Sequence, residues 1–291
     1  MPPERSEPID AGGIRLVVHH WGGPSGGSPV LLAHPTGFHG VVWEPVAEDL
    51  AGRGYRPYSF DFRGHGDSDR SPDGYHWHGF AADVLAVTRH LGLAGDPRLV
   101  AAGHSKGAAA LLLAEAAHPG TYARLWCYEP IMFPVDEPLP PDFDNPLTQG
   151  AQRRRDVWES LLEAERSYAS KPPLDVLDPR ALHAYVTYGL RRRDDGKYEL
   201  KCRPEDEAEI YAMGPANGVF ARLRHVRAPT LVACGEHTDA IPPRLAVRIV
   251  ERLPHGRLDI FSRVGHFGPM EAPEQTAASI AKLESVTRPA A

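Results

Sequence analysis

A short segment of the chain holds a serine in a pattern that could expose its hydroxyl for chemistry. Residues 99–110 read Leu-Val-Ala-Ala-Gly-His-Ser-Lys-Gly-Ala-Ala-Ala, with Ser105 at the centre of a Gly-x-Ser-x-Gly motif. An apolar run before the motif and small residues after it predict a strand, a sharp turn and a helix. Such a turn strains the serine backbone and leaves no room for side chains two residues before and after it. We therefore expect Ser105 to be a nucleophile at a sheet edge.

A serine hydroxyl is a weak nucleophile and needs a neighbouring base, for which imidazole is suited because it titrates near pH ~6.5. His266 stands between Gly265 and Gly268, in a loop that follows the last apolar run. A carboxylate must hold the tautomer of that histidine. Asp239 follows another apolar run and is the leading candidate. We predict that the three side chains meet at one sheet edge.

Five segments make the chain resemble the α/β-hydrolase superfamily in its capped, esterase-like form. They are the Ser105 motif, the loops around Asp239 and His266, and residues 34–38 (His-Pro-Thr-Gly-Phe) and 61–68 (Asp-Phe-Arg-Gly-His-Gly-Asp-Ser). The resemblance implies that Ser105 is the nucleophile, His266 the general base and Asp239 its partner. Some relatives carry the acid after the strand that follows the nucleophile helix. This chain has Glu129 there, so Glu129 remains the alternative acid.

The resemblance also implies an oxyanion hole made of two backbone N–H groups. One belongs to Lys106, directly after the nucleophile. The family usually has His-Gly in the other loop, but this chain has His34 followed by Pro35, and proline has no N–H. Thr36 is therefore the best candidate for the second donor, with Gly37 also open. We expect His34 to be a packed, hydrogen-bonded residue, and Arg63 and His65 of the 61–68 segment to be structural.

The side chain of Lys106 departs from the family, which commonly has Met, Gln or an aromatic residue there and tends to direct it to the site mouth. A lysine in that place could attract an acidic substrate. The alternatives are a local ion pair or a solvent-facing stem. A further hypothesis pairs Lys106 with Glu129, so that the two shape the pocket.

The elements that must position these residues alternate along the chain as strands and helices. Apolar runs predict strands at 14–19, 30–33, 56–60, 98–102, 123–127, 230–233 and 257–261. Helical patterns lie between them at 41–53, 80–91, 106–117, 244–253 and 273–283. This alternation predicts an α/β fold with a mostly parallel sheet flanked by helices.

The middle of the chain interrupts that alternation and predicts an inserted helical cap. Several prolines between 134 and 146 indicate a linker, and helical patterns without a strand follow at 156–169, 179–190 and 204–213. We place the cap at 134–218 and the hydrolase core at 1–133 and 219–291. The arginine triplets at 153–155 and 191–193 favour solvated faces. Candidate pocket residues are Phe38, Trp43, Tyr128, Met132, Phe133, Trp158 and Tyr185.

Composition excludes several classes of protein. The 291 residues include 32 Lys+Arg and 38 Asp+Glu, a net charge of −6, which argues against general nucleic-acid binding. The three cysteines favour buried hydrophobic positions over redox or metal roles. We see no metal-ligand pattern, no phosphate loop and no implied cofactor. Without a secretory leader or an apolar span in the sequence, we expect a cytoplasmic protein that does not act at a membrane.

The expected function is hydrolysis of a carboxylic ester, or a related acyl bond, of a small to medium substrate through an acyl-enzyme. Two alternatives on the same triad are a carbon–carbon bond hydrolase and a thioesterase. A ligand-binding receptor on the hydrolase fold is a third and different class.

Overall fold

The predicted apolar runs form the strands of the main sheet. Further strands form at one edge of that sheet and in the middle of the chain. The computed structural model describes residues 2–134, 145–215, 217–238 and 240–283. Its strands are β1 (Arg5–Asp10), β2 (Arg15–His20), β3 (Ser28–Ala33), β4 (Tyr55–Asp61), β5 (Val100–His104), β6 (Arg124–Tyr128), β7 (Val157–Trp158), β8 (Leu190–Arg192), β9 (Tyr198–Leu200), β10 (Thr230–Gly235) and β11 (Gly256–Phe261).

The helices lie between these strands. They are α1 (Glu44–Gly52), α2 (Trp77–His90), α3 (Lys106–Ala117), α4 (Pro146–Gln152), α5 (Leu161–Ala169), α6 (Pro179–Gly189), α7 (Pro204–Ala212), α8 (Asn217–Phe220), α9 (Pro243–Arg252), α10 (Gly268–Glu271) and α11 (Pro273–Lys282). None of these helices is both long and apolar enough to cross a membrane, within the residues that the structure describes.

The main sheet has eight strands in the order β1-β2-β4-β3-β5-β6-β10-β11. Six neighbouring strands of this sheet, β4, β3, β5, β6, β10 and β11, run parallel to one another. At one edge, β2 pairs antiparallel with β4 and β1 pairs antiparallel with β2. The predicted, mostly parallel α/β sheet is therefore confirmed. The sequence analysis missed β1 because most of its side chains are exposed, so an edge strand there carries no apolar run.

Both faces of the sheet are covered, which explains why its strands are apolar throughout. Along β3, Leu31 packs in one hydrophobic core with residues of α2 and α3. The neighbouring Leu32 packs in a second core with residues of α1 and α11. Alternate side chains of one strand thus enter two cores, and the carboxyl ends of the parallel strands are left to carry the loops of the site.

A second layer, residues 145–215, follows β6 and precedes β10; we call it the cap. It contains α4 to α7, as the helical patterns predict, but also a three-stranded sheet in the order β7-β9-β8. The expectation of a cap without strands is therefore wrong. These strands have two or three residues each, too few for a detectable alternation. Helix α5 starts at Leu161, because the Ser160 side chain accepts a bond from Glu163 N–H and caps it there.

The predicted boundaries of the cap, 134–218, remain a prediction. Of the proline-containing linker, residues 135–144 lie outside the described part of the chain. Helix α4 begins after that stretch, with Pro146 at its first position and the Asn145 side chain accepting from Leu147 N–H. Proline suits a first-turn position because its missing N–H has no partner there in any case.

Candidate active site

The Gly-x-Ser-x-Gly motif forms a strained turn between β5 and α3. Ser105 has φ 53° and ψ −113°, a conformation that non-glycine residues rarely adopt. The flanking glycines are required by close packing: a Cβ on Gly103 would lie 2.6 Å from Ala108 N, and one on Gly107 would overlap the Ala33 carbonyl. The turn holds Ser105 at the carboxyl end of the central strand, directly before the amino terminus of α3, where negative charge is favoured.

The His266 ring is hydrogen-bonded to a buried carboxylate, and that carboxylate belongs to Glu129. His266 Nδ1 donates to Glu129 Oε2 over 2.7 Å. Glu129 also accepts from the Gly235 backbone N–H at 2.9 Å and from the Thr238 hydroxyl at 2.7 Å. Three donors hold this fully buried side chain in one orientation. The bond at Nδ1 leaves Nε2 of His266 as the nitrogen that can accept a proton.

Glu129 reaches this place because β6 lies between β5 and β10. Its backbone N–H continues the pairing of β6 with β10 by donating to Ala233 O at 2.9 Å, and its own φ is 42°. The sequence analysis kept Glu129 as the alternative acid. The leading candidate, Asp239, lies outside the described residues. The hydroxyl of Thr238 donates to Glu129, so this residue helps to hold the carboxylate on His266.

The loop that carries His266 is anchored on both sides. The Tyr128 hydroxyl donates to Gly265 O at 2.6 Å, and Gly265 N–H donates to the Glu271 carboxylate at 3.0 Å. A Cβ on Gly268 would overlap the Tyr128 ring, so the loop can lie this close only with glycine there. These contacts fix the position of the histidine relative to the ends of β6 and β10.

His104 connects the serine turn to the histidine loop. Its ring centroid lies 4.8 Å from that of His266, and Ser105 is the next residue in the chain. Burial lowers the pKa of His104 well below its usual value, so the ring stays neutral beside His266. Ser105, His266 and Glu129 are thus gathered at one edge of the sheet, at the ends of β5, β11 and β6.

The predicted oxyanion donors are the backbone N–H groups of Lys106 and Thr36. In the described part of the chain, neither N–H donates to a protein acceptor, which leaves both available to a substrate oxygen. The expected packing role of His34 is confirmed. Its Nδ1–H donates to Pro35 O at 2.7 Å and its Nε2 accepts from Phe62 N–H at 3.0 Å. His34 therefore fixes the loop that presents Thr36.

The side chain of Lys106 is fully buried instead of facing the mouth of the site. Its ammonium lies 4.2 Å from the centroid of the Phe62 ring and 4.6 Å from that of Phe80. It also donates to His65 Nε2 at 3.3 Å, since Nδ1 of that ring donates to Arg63 O at 2.9 Å. No carboxylate in the described part of the chain forms an ion pair with it. Burial lowers the pKa of Lys106 to about 7.

These contacts correct three expectations about Lys106. Because the Lys106 side chain has no accessible surface, it does not face solvent and cannot attract an acidic substrate to the mouth of the site. It also lacks the local ion pair that the sequence left open, within the described residues. The hypothesis that it pairs with Glu129 is also wrong, since the Glu129 oxygens bind His266, Thr238 and Gly235. The structural role of Arg63 and His65 is confirmed: Arg63 forms a buried ion pair of 2.6 Å with Asp83.

Two of the predicted pocket residues border a small cavity beside the oxyanion loop. Phe38 and Tyr185 pack with ring centroids 4.8 Å apart, and Phe38 also contacts Phe267 at 5.6 Å. The cavity has a volume of about 10 Å³, room for roughly one water. Its lining consists of Gly37, Phe38, His39, Gly66, Tyr185, Gly189, Leu200 and Cys202. The cap is thus closed over this part of the site.

The other predicted pocket residues are placed in the hydrophobic cores and not on this cavity. Trp43, Tyr128, Met132 and Trp158 are buried, and Phe133 packs against the core around α3. Their apolar character therefore serves packing, with Tyr128 also anchoring the His266 loop. Large apolar side chains near a site are as suitable for a core as for a pocket, so the sequence pattern could not separate the two roles.

A wider polar cleft of about 310 Å³ lies where the cap meets the 61–68 turn. It shares Gly66 with the small cavity. Ion pairs join the two layers there: Lys201 with Asp67 at 2.8 Å, and Arg70 with Asp206 at 2.9 Å. We interpret this cleft as the charged seam between cap and core, because its cations already have carboxylate partners.

Sequence reasoning missed Arg154, which it assigned to a solvated face. The structure places its guanidinium inside the cap, where it donates to Glu207 Oε2 at 2.7 Å and to the hydroxyls of Tyr168 and Tyr185. Nothing in the sequence of the arginine triplet at 153–155 indicates that its central residue is buried while its two neighbours are exposed. The burial of Arg154 becomes evident only from the packing of α4 against α7.

None of the described residues forms a group of three His, Cys, Asp or Glu side chains suited to a metal ion. The three cysteines are free and buried, as predicted, although Cys202 stands between Lys201 and Arg203 and only the other two lie in apolar runs. What the arrangement offers chemically is a serine hydroxyl, an imidazole with a fixed tautomer, and two unpaired backbone donors.

Comparison with known proteins places this geometry in a family. A family model described as the alpha/beta hydrolase family matches residues 30–279, most of the chain. The chain belongs to the alpha/beta hydrolase family. The expected resemblance is thereby confirmed, and the protein is a hydrolase.

Individual relatives of this hydrolase differ in their named chemistry. A non-heme haloperoxidase of Rhodococcus erythropolis is 24% identical over 263 residues, which cover 87% of this chain and 90% of that protein. A 2-(acetamidomethylene)succinate hydrolase of Mesorhizobium japonicum is 32% identical over 283 residues, covering 94% and 93%. The crystal structure of E-2-(acetamidomethylene)succinate hydrolase has a TM-score of 0.79 at 20% identity, covering 97% of this chain and 99% of that chain. Family membership therefore gives the fold and the reaction class.

Proposed function

We propose that this hydrolase cleaves a carboxylic ester, or a related acyl bond, of a small to medium substrate through an acyl-enzyme on Ser105. The observation that carries the proposal is the 2.7 Å bond from His266 Nδ1 to the buried Glu129 carboxylate, at the same sheet edge as the strained Ser105 turn. A protein that only binds a ligand has no need of this alignment. The relative named for 2-(acetamidomethylene)succinate, whose name includes an acetamido group, supports acyl-bond hydrolysis.

In the first half of the reaction, Ser105 Oγ attacks the substrate carbonyl while His266 Nε2 takes the hydroxyl proton. Glu129 accepts from Nδ1–H throughout and stabilises the imidazolium that forms. The N–H groups of Lys106 and Thr36 donate to the oxyanion of the tetrahedral intermediate. As the carbonyl re-forms, the bond to the leaving group breaks, and His266 gives its proton to that group.

In the second half, a water attacks the acyl carbonyl and His266 takes one of its protons. The same two N–H groups hold the second oxyanion. Collapse of this intermediate breaks the bond to Ser105 Oγ, which recovers its proton from His266, and the free acid leaves.

The first test is Ser105→Ala, assayed on p-nitrophenyl esters. We expect kcat to fall by ~10⁶, since nucleophile and base act as a unit. A fluorophosphonate probe should label the wild type and fail to label the variant. An unlabelled wild type would favour a ligand-binding protein, and an unchanged rate in the variant would remove the proposal.

The second test separates the two candidate acids. Glu129→Gln should lower kcat by about 10⁴, because the neutral amide favours the wrong tautomer of the histidine. Asp239→Asn is the matched control and should lose much less. A larger loss in Asp239→Asn would return the acid role to Asp239.

The thioesterase and carbon–carbon hydrolase alternatives use the same three side chains. A panel of p-nitrophenyl esters and thioesters of equal acyl length separates ester from thioester hydrolysis by kcat/KM, and a β-diketone substrate added to the panel reports carbon–carbon cleavage. We expect oxygen esters to be the better substrates. A consistent preference for thioesters would instead support the thioesterase alternative.

A further inference from the structure

A buried guanidinium in the cap is surrounded by groups from three helices. Arg154, after α4, donates to the Glu207 carboxylate of α7 at 2.7 Å and to the hydroxyls of Tyr168 in α5, at 3.3 Å, and of Tyr185 in α6. We call these four residues the Arg154 cluster. The side chains of Arg154 and Glu207 are 18% and 8% exposed. Removing either charge alone would leave the other buried without a partner, which is costly.

The cluster faces the oxyanion loop. A Cβ on Gly37 would overlap the Glu207 carboxylate and lie 3.6 Å from Arg154 Nη1. Gly37 directly follows the proposed donor Thr36, and it has φ 77°. Phe38, the next residue, packs on Tyr185. The cation thus lies above the loop that would hold the substrate carbonyl.

The two tyrosine hydroxyls have donor capacity that the cluster does not use. Each accepts a bond from Arg154, and within the described residues neither donates its own proton to an acceptor. A guanidinium with two convergent O–H donors is suited to an anion. The only anion that it holds in the described chain is Glu207, bound through one oxygen.

We propose that Arg154, Tyr168 and Tyr185 bind a carboxylate on the acyl substrate, and that Glu207 occupies this site when substrate is absent. The inference rests on the proposed acyl hydrolysis and names its substrate class. The Glu207 carboxylate lies between Gly37 of the oxyanion loop and the guanidinium, so the glutamate must leave the guanidinium for a substrate carboxylate to bind there. Exchange of one carboxylate for another keeps the buried charge of the site unchanged. A phosphate dianion would instead add a second, uncompensated charge.

The test uses two substrates that differ only at their far end: p-nitrophenyl valerate and the mono-p-nitrophenyl ester of glutaric acid. We expect the wild type to prefer the glutarate ester. Arg154→Gln should lower kcat/KM for the glutarate ester by about 10- to 100-fold more than for the valerate ester, the range of a charge-assisted hydrogen bond. The exposed neighbour Arg153→Gln is the matched control and should change neither.

Glu207→Gln gives a result that a purely structural cluster would not. It removes the resident carboxylate, so KM for the glutarate ester should fall about 10-fold or more relative to KM for the valerate ester. If either single variant fails to fold, the double variant Arg154→Gln with Glu207→Gln, which leaves no buried charge unpaired, carries the test and should show no preference for the glutarate ester. Equal effects on both esters in these variants, or a wild type without preference for glutarate, would overturn the carboxylate site.

Binding can be followed without catalysis in Ser105→Ala. Succinate is a suitable probe, because a ligand that binds the native state raises the melting temperature. We expect succinate to stabilise Ser105→Ala, more strongly when Glu207→Gln is added, and not when Arg154→Gln is added. Stabilisation by succinate together with an unlabelled Ser105 would keep this site and refute the proposed hydrolysis. Normal turnover of valerate with no succinate effect would refute only this site.

Discussion

Two buried glutamates face the site, one from the core and one from the cap, and they are held in different ways. Glu129 has no exposed surface and accepts from three donors on two loops. Glu207 is nearly as buried, but among the described residues its side chain has one partner, Arg154, which is itself shared with two tyrosines. A carboxylate fixed by several short bonds is suited to orient a catalytic histidine. One held by a single exchangeable cation is suited to leave when a ligand takes its place.

Because the two glutamates are held differently, we expect the change from Glu to Gln to affect turnover strongly at one position and weakly at the other. Glu129→Gln should reduce turnover of a neutral ester by about 10⁴. Glu207→Gln should leave kcat on that ester within about threefold, since Glu207 has no part in the proton transfers and a change there acts mainly on binding. Steady-state kinetics on p-nitrophenyl valerate checks both. A comparable loss of kcat in the two variants would break the comparison.

Stability should also separate the two glutamates. Glu207→Gln leaves Arg154 without its counter-ion, and we expect the free energy of unfolding to fall by about 3–5 kcal/mol, as measured by urea titration. A double variant, Glu207→Gln with Arg154→Met, should recover a large part of that loss because the unpaired charge is gone. No recovery in the double variant would mean that the loss comes from packing and not from charge.

Lys106 extends the comparison to a buried charge without any described counter-ion. Its pKa of about 7 in the folded protein lies below the ordinary 10.5, so the unfolded chain binds more protons between these values and stability rises with pH across that window. Lys106→Met should therefore be more stable than the wild type by a few kcal/mol at pH 7. This advantage should shrink as the pH approaches 10. The exposed Lys171→Met is the control, and an advantage independent of pH would contradict a buried, titrating ammonium.

The smallest expected effect concerns one donor to Glu129. Thr238→Val removes the 2.7 Å hydroxyl bond and leaves the bonds from Gly235 and His266 in place. We expect kcat to fall about 10-fold, the equivalent of a hydrogen bond of roughly 1.4 kcal/mol. Thr187→Val, on the cap surface, is the control. A loss as large as that of Glu129→Gln would show that Thr238 and not the histidine bond positions the carboxylate.

Most of the fold and part of the candidate site could be predicted from local sequence patterns. The strands and helices of the core follow apolar periodicity, and the serine turn follows the two glycines that its geometry requires, so both could be predicted from neighbouring residues. The edge strand β1 and the cap strands could not, because they are short or exposed. Their pairing depends on distant partners.

The charged residues of the site depended on contacts far apart in the chain. Glu129 and Asp239 each follow an apolar run of the sequence, and the sequence alone offers both as partners for His266. The choice rests on which loop bends toward the ring. Arg154 belongs to a charged triplet that favours solvent, and Lys106 is a lone charge in a run of small and apolar residues, yet the packing of other segments buries both. Sequence spacing does not record such packing.

The bond between His266 Nδ1 and Glu129 can be observed directly by proton NMR. A hydrogen-bonded imidazole N–H shielded from solvent gives a resonance far downfield of the amide protons. The account predicts this signal in the wild type and in Asp239→Asn, and its loss in Glu129→Gln. A signal that persists in Glu129→Gln and disappears in Asp239→Asn would contradict the assignment of Glu129 as the acid of the triad.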